Sequence, residues 1–296
     1  MLSLKLTAWL MLALILLAAI EAWWLVRSGR GYAWGEFWAS LGDVAGRIVI
    51  IAVVKTGIVG LMLYAVWHWR IGEIAMDRWW HWALLLLGLD FCYYWMHRAE
   101  HRIRWFWLNH SVHHSSHRIT FAAAYRLGWT SRIVGTPVFM APLVLIGFPV
   151  PIVLATLSLN LLYQFWLHTE LIGKLPRPIE YLFNTPSHHR AHHASNQIYI
   201  DRNYGGVLIV FDRWFGTFQA ETAEHPPRYG LVEPFHSNNP FRLVAHAWRG
   251  MYRDLRAARG WRERAWVVVG PPEFKPAGQT SAANLNIATS GVDGAV

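Results

Sequence analysis

The sequence holds a single cysteine, Cys92, in 296 residues. An intrachain disulfide is therefore excluded, and so is a thiolate metal cluster; any metal must be held by nitrogen and oxygen. Charge is scarce as well. Asp, Glu, Lys and Arg make up 15% of the chain, against about a quarter in ordinary soluble domains. Acidic residues are the rarer sign, 18 against 27 basic, which leaves a formal net charge of +9. Also missing are an H-E-x-x-H zinc-hydrolase helix, an HPGG haem segment, a G-x-G-x-x-G loop and any repeat of fixed period.

Apolar and aromatic residues fill the space: 54% of the chain is hydrophobic, mean hydropathy is +0.21, and 19 residues are Trp. Trp favours the bilayer interface. A positive balance admits nucleic-acid binding, but in a chain this hydrophobic it fits basic residues beside membrane spans on the cytoplasmic side, so no nucleic-acid partner is expected.

A bilayer core about 30 Å thick takes about 20 apolar residues per helix. Residues 7–26, 48–67 and 80–96 qualify, with Glu21 late in the first, Lys55 in the second and Asp90 in the third. The first stretch has an alternative reading as a cleaved signal peptide, because Ala18, Ala19 and Ala22 resemble a cleavage region. Residues 134–167 are too long for one span and are broken by Gly147, Pro149 and Pro151. They predict a membrane-embedded hairpin that turns at 147–151 and returns to its side of origin.

Arginine is dense after residue 96 and again from Arg177 to Arg264. The positive-inside rule puts these segments in the cytoplasm, together with a loop bearing Arg27, Arg30 and Arg47, and puts the N-terminus outside. Residues 242–257 predict an amphipathic helix with Leu243, Ala247, Met251 and Leu255 on one face and Arg on the other. It either lies in the membrane interface or packs as an ordinary helix. The composition of 271–296 predicts a disordered tail. The expected architecture is an all-α integral membrane protein: about three spans and a hairpin, with a cytoplasmic helical cap. Its divisions are N-terminal spans and loops (1–79), a core (80–220), an interfacial helical segment (221–270) and the tail (271–296).

Sixteen histidines are present, and eight fall in three clusters at helical spacing. His97 and His101 stand at i and i+4. His110, His113 and His114 repeat at 3 and 4, with His117 following, and His189, His192 and His193 repeat the pattern after His188. Such spacing puts the rings of each cluster on one helix face. His168, at the end of the returning hairpin, is a ninth candidate. Clustered imidazolium ions would repel one another, whereas neutral imidazoles around a cation are stable. Eight or nine nitrogens exceed what one ion takes, so two neighbouring ions are expected. Imidazole suits iron, zinc and copper alike. The lipid setting favours a redox metal with O2, because an alkyl chain offers a hydrolase no leaving group. A non-redox zinc-binding membrane protein is the alternative.

These residues resemble the membrane fatty acid hydroxylase and sterol desaturase superfamily. The likeness runs from Asp90, Tyr94, His97 and His101 through His110-Ser-Val-His113-His114, His168 and Thr185-Pro-Ser-His-His-Arg-Ala-His-His193. It closes on Asp201-Arg-Asn203-Tyr204-Gly-Gly206 and Phe211-Asp212-Arg-Trp-Phe215-Gly-Thr217-Phe218. Within it, Tyr163-Gln-Phe-Trp-Leu-His168-Thr-Glu170 is most similar to the alkylglycerol monooxygenase branch and its bacterial relatives. The resemblance implies a non-haem di-iron enzyme that uses O2 and two electrons to hydroxylate or desaturate a lipid chain. It implies His97, His101, His110, His113, His114, His189, His192 and His193 as iron ligands, with His168 as a further one. Electrons are expected from a separate cytochrome b5- or ferredoxin-like donor. That branch usually has an acidic residue soon after the second cluster; His117 and Arg118 stand there instead, which questions an ether-lipid substrate and makes His117 a further candidate ligand. Asp90 and Tyr94 are the expected catalytic-site side chains, Asp90 either by accepting the outer N–H of a ligand histidine or, in the alternative, by a helix-packing contact with Tyr94 or Lys55. His188 is expected either as a further ligand or in a supporting position.

Overall fold

In the computed structural model, residues 4–53 and 58–278 are described. Among them the regular structure is helical, with isolated bridges only and no strand, so the all-α expectation holds. The helices are α1 (Leu4–Arg27), α2 (Trp34–Val53), α3 (Ile58–Trp67), α4 (Trp79–Arg102), α5 (Arg104–His113), α6 (Ser131–Val134), α7 (Ala141–Leu145), α8 (Val150–Phe165), α9 (Arg177–Leu182), α10 (Pro186–His192), α11 (Val210–Trp214), α12 (Pro240–Ala257) and α13 (Gly260–Val269).

One described helix, at Trp9–Arg27, is both long and apolar enough to cross a bilayer by itself. The span expected at 48–67 is divided between the end of α2 and α3, and Lys55 lies outside the described residues. Arg47, expected in a loop, sits inside α2. There it pairs with Asp43 at 3.9 Å and donates to the Tyr125 carbonyl at 3.3 Å. The helix starts early because its polar residues face protein: Asp43 is fully buried and accepts the Leu127 N–H at 3.1 Å.

The hairpin is present in short form. A 3-10 segment (Thr136–Met140) leads into α7, residues 146–149 turn, and α8 returns. Gly147 has φ +113, and a Cβ there would lie 2.5 Å from the Gly72 carbonyl oxygen, so the turn requires glycine. Pro151 falls in the first turn of α8 rather than in the loop, because that position has no intrahelical N–H bond to lose.

Leu63, Leu85, Leu89, Met140, Leu143 and Val153 interleave α3, α4, α7 and α8 into one apolar core. On the outside, Leu16 and Ile20 of α1, Leu86 and Leu87 of α4, and Leu159 of α8 are exposed. Large apolar side chains exposed along three helices suit lipid rather than water. At one end sits a cap of α5, α12 and α13 packed through Leu108, Met251 and Val267. Asn239 starts α12 by accepting the N–H groups of Phe241 and Arg242 at 2.9 and 3.3 Å. The apolar face predicted for α12 is turned onto the protein: Leu243 and Met251 are buried, and Ala247 and Leu255 pack beside Met251. Arg104 locks the cap by donating to Asp254 at 2.6 Å, both side chains being buried. Residues 271–278 lie against this cap through Phe274, whereas 279–296 of the expected tail lie outside the described residues.

Candidate metal centre

The C-terminus of α4 makes the site possible. Ile103 is extended (φ −122, ψ 117), so the chain turns sharply and α5 begins at Arg104. His97 and His101 thereby face His110 and His114. Opposite, Thr185 is extended and Pro186 starts the short α10, which presents His189, His192 and His193. His168 follows the end of α8.

The nine candidate histidines converge as two groups. His97, His101, His110, His114 and His192 form one; His113, His168, His189 and His193 form the other. Within each group the ring nitrogens lie within 4.8 Å of one another. The groups adjoin, with the His114 and His193 rings stacked at 4.3 Å.

Their tautomers follow from the outer contacts. A carbonyl only accepts, so a ring nitrogen bonded to one carries the proton. Nδ1 donates to the Tyr204 carbonyl from His97 (2.9 Å), to Arg126 from His113 (3.0 Å), to Gln164 from His168 (2.8 Å) and to Arg202 from His192 (2.9 Å). His110 turns Nδ1 to Glu100 Oε2 at 3.2 Å. In the four rings bonded to carbonyls, Nε2 is then a bare lone pair pointing inward. The Nε2 atoms of His113 and His168 face each other at 3.1 Å, with no proton left for the pair to share, and those of His97 and His110 lie 3.0 Å apart. Buried Nε2 atoms of His101 and His192 have no hydrogen-bond partner. Lone pairs gathered this way repel unless cations stand between them, so the donor set fits metal ions. Burial, reinforced by neighbouring imidazoles, drives the basicity of His110, His113, His114, His189 and His193 well below the ordinary range, and burial holds His168 and His192 at about 4. All are neutral at pH 7, the form that binds metal.

Two other candidates lie outside both groups. His117 Nε2 donates to the Phe235 carbonyl at 3.1 Å, and its backbone N–H is held by Glu36 at 3.0 Å. His188 points the other way, with Nε2 2.8 Å from Glu180.

The structure does not bring Asp90 or Tyr94 into either imidazole group. Asp90 accepts from Asn160 Nδ2 and from the backbone of Val207 and Leu208, at 2.8, 2.8 and 2.7 Å. Seven residues do return a helix to the same face, but they also rise about 10 Å, too far for a carboxylate to reach the ring of His97. Asp90 instead clasps the loop whose Tyr204 carbonyl fixes His97. The Tyr94 hydroxyl pairs with Thr217 Oγ1 at 3.0 Å and accepts from Arg98 at 3.1 Å.

Two supporting residues, Glu100 and Arg126, were missed from the sequence, and Asn203 and Asp212 of the closing stretch support the site as well. Glu100 behind His110 had one signal, its place beside His101 at the same helix end. Arg126 is 1% exposed and donates to Ser40 Oγ and the Glu36 carbonyl, both at 3.0 Å, which fixes α2 to the strip whose carbonyl holds His113. Asn203 adopts φ +59 and donates to the carbonyls of His188 (3.0 Å) and Gln219 (2.7 Å). Asp212 accepts the Tyr204 and Gly205 N–H groups at 2.8 and 2.7 Å.

A cavity of about 1050 Å³ reaches the rings of His101, His114, His192 and His193 from the side of α12.

The fatty acid hydroxylase family profile matches residues 82–217, the stretch that contains every one of the nine histidines. Human alkylglycerol monooxygenase is 38% identical over 180 residues, 61% of this chain and 39% of that protein. The Caenorhabditis elegans alkylglycerol monooxygenase is 35% identical over 229 residues, 74% of this chain and 45% of that one. Ornithine lipid hydroxylase OlsE of Rhizobium tropici is 28% identical over 132 residues, 45% of this chain and 38% of that protein. The chain therefore spans less than half the length of these curated relatives. No solved structure matches. Through residues 82–217, with their paired histidine groups, this chain belongs to the fatty acid hydroxylase family.

Proposed function

We propose that the protein is a multi-pass membrane enzyme that uses O2 to hydroxylate the alkyl portion of a lipid at two iron ions on its cytoplasmic face. One observation carries the reading: nine imidazoles, seven buried and two partly buried, in two adjoining groups of five and four, with Nδ1 of His97, His113, His168 and His192 donating outward to carbonyls so that their Nε2 lone pairs point inward. His97, His101, His110, His114 and His192 would hold one iron, and His113, His168, His189 and His193 the other. When bound, the iron pair supplies the electron transfer that reduces O2, placing one oxygen atom in a C–H bond and releasing the other as water with two protons and two electrons from outside.

The chain's own part is positional. Main-chain carbonyls and Glu100 set the ring orientations, burial keeps the rings neutral, and the apolar core shields one side from water. The four rings open to the cavity mark where a substrate carbon can approach. Hydroxylation is favoured over desaturation because the named relatives are a monooxygenase and a hydroxylase. The Arg-rich segments around the centre support its cytoplasmic placement and suit a separate acidic electron donor.

The test is metal analysis with Mössbauer spectroscopy on protein purified under reducing conditions, followed by mass spectrometry of lipids incubated under 18O2. Two iron ions per chain and one labelled oxygen in a lipid product are expected. Zinc at full occupancy, with no redox activity after iron reconstitution, would overturn the proposal.

A further inference from the structure

The cavity that reaches the histidines is lined unevenly. Its inner wall is apolar around the rings, with Trp107 and Leu108 from α5 and Leu231, Val232 and Phe235 from the facing loop. Its outer wall is one stripe of α12: Arg242, His246, Arg249 and Arg253. These recur at intervals of 4, 3 and 4, so they share a helix face, away from the buried Leu243 and Met251.

Most other charges on this wall are already matched. Lys275 sits 3.8 Å from Glu233, Arg104 donates to Asp254 at 2.6 Å, and Asp201 bonds Arg102 outside the cavity; Glu273 is the remaining acid. Arg253 approaches Asp254 at 3.5 Å, but that carboxylate is shared with Arg104. The exposed guanidiniums of Arg242, Arg249 and Arg253 are thus gathered at the mouth of a cavity in excess of nearby anions. Guanidinium pairs with oxyanions through parallel N–H donors.

We infer that this cavity binds a lipid with an anionic headgroup, its phosphate or carboxylate held by Arg242, Arg249 and Arg253, and the adjoining carbons laid along Trp107 and Leu108 towards His101 and His192. The fate of the lipid rests on the hydroxylase reading; its binding does not. Concavity argues for a small ligand over a docked protein, because the arginines line a recess that continues to the imidazoles.

The test uses the full chain in neutral-detergent micelles and compares three probes by equilibrium binding: hexadecyl phosphate, uncharged 1-O-hexadecylglycerol of the same chain length, and inorganic phosphate. Hexadecyl phosphate is expected to bind at least tenfold tighter than either of the others. The triple substitution Arg242→Gln, Arg249→Gln, Arg253→Gln should abolish that preference while bound metal per chain stays unchanged. Arg256→Gln, on α12 but outside the cavity, should keep it. Equal affinity for the charged and uncharged lipids overturns the inference. So does inorganic phosphate binding as tightly as the alkyl phosphate, which would make the stripe a free-anion site. So does a triple variant that keeps the preference but slows reduction by an acidic donor protein, which would make it a docking surface. If the binding preference holds yet no lipid is oxidised, the hydroxylase reading fails alone.

Discussion

At the scale of single residues, the centre depends on groups that touch no metal. Glu100 Oε2 lies 3.2 Å from Nδ1 of His110. Replacing it with Ala removes that polar partner and frees the ring to rotate. Support of this kind is worth roughly 10- to 100-fold in metal affinity. Glu100→Ala is therefore expected to weaken metal retention in that range, measured by chelator competition, with the all-helical circular dichroism spectrum retained. Asn203 is a different case. Its left-handed backbone and its two bonds to the His188 and Gln219 carbonyls belong together, because Asn tolerates that conformation better than other side chains. Asn203→Ala should lower stability by about 2–4 kcal/mol, read as a drop in thermal unfolding temperature.

Between elements, the Arg104–Asp254 pair is the decisive tie, since it joins the histidine-bearing α5 to α12. Removing one partner of a buried ion pair costs about 3–5 kcal/mol because the other charge stays behind. Asp254→Ala should therefore loosen the cap, visible as faster hydrogen exchange in α12 than in α4. Much at this scale could be read from the chain. The hairpin was written in Gly147, Pro149 and Pro151, and the two-faced pattern of α12 in Leu243 and Met251. The limits of α2 could not be read, because Asp43 and Arg47 face the Tyr125–Leu127 strip rather than lipid, and a hydropathy window does not see the partner. Likewise the sequence named all nine converging histidines but not the partners of Asp90: helical phase is legible in spacing, whereas the loop at 205–208 that arrives to claim its oxygens is a long-range contact.

For the whole molecule, stability and pH are linked through the buried rings. His168 and His192 are held at about 4 by burial, below the ordinary imidazole value of 6.5. Between those values the unfolded chain binds protons that the folded chain refuses, so stability rises with pH through this window and is complete above it. Metal-free protein in detergent should melt at a clearly lower temperature at about pH 5 than at about pH 7.5. Chelation itself should lower the melting temperature at neutral pH, because ions that bind only the folded form stabilise it. A pH-independent melt of the stripped protein would contradict the burial of these rings.

The carbonyls of Tyr204, Arg126, Gln164 and Arg202 have a genetic consequence. Every amino acid supplies the same backbone oxygen, so no point substitution at these four positions deletes it. A saturation scan should flag the histidines strongly and register what aims them only faintly. Inserting or deleting one codon beside any of the four shifts the oxygen and leaves every ligand in place, and it is to this kind of lesion that the centre is most vulnerable.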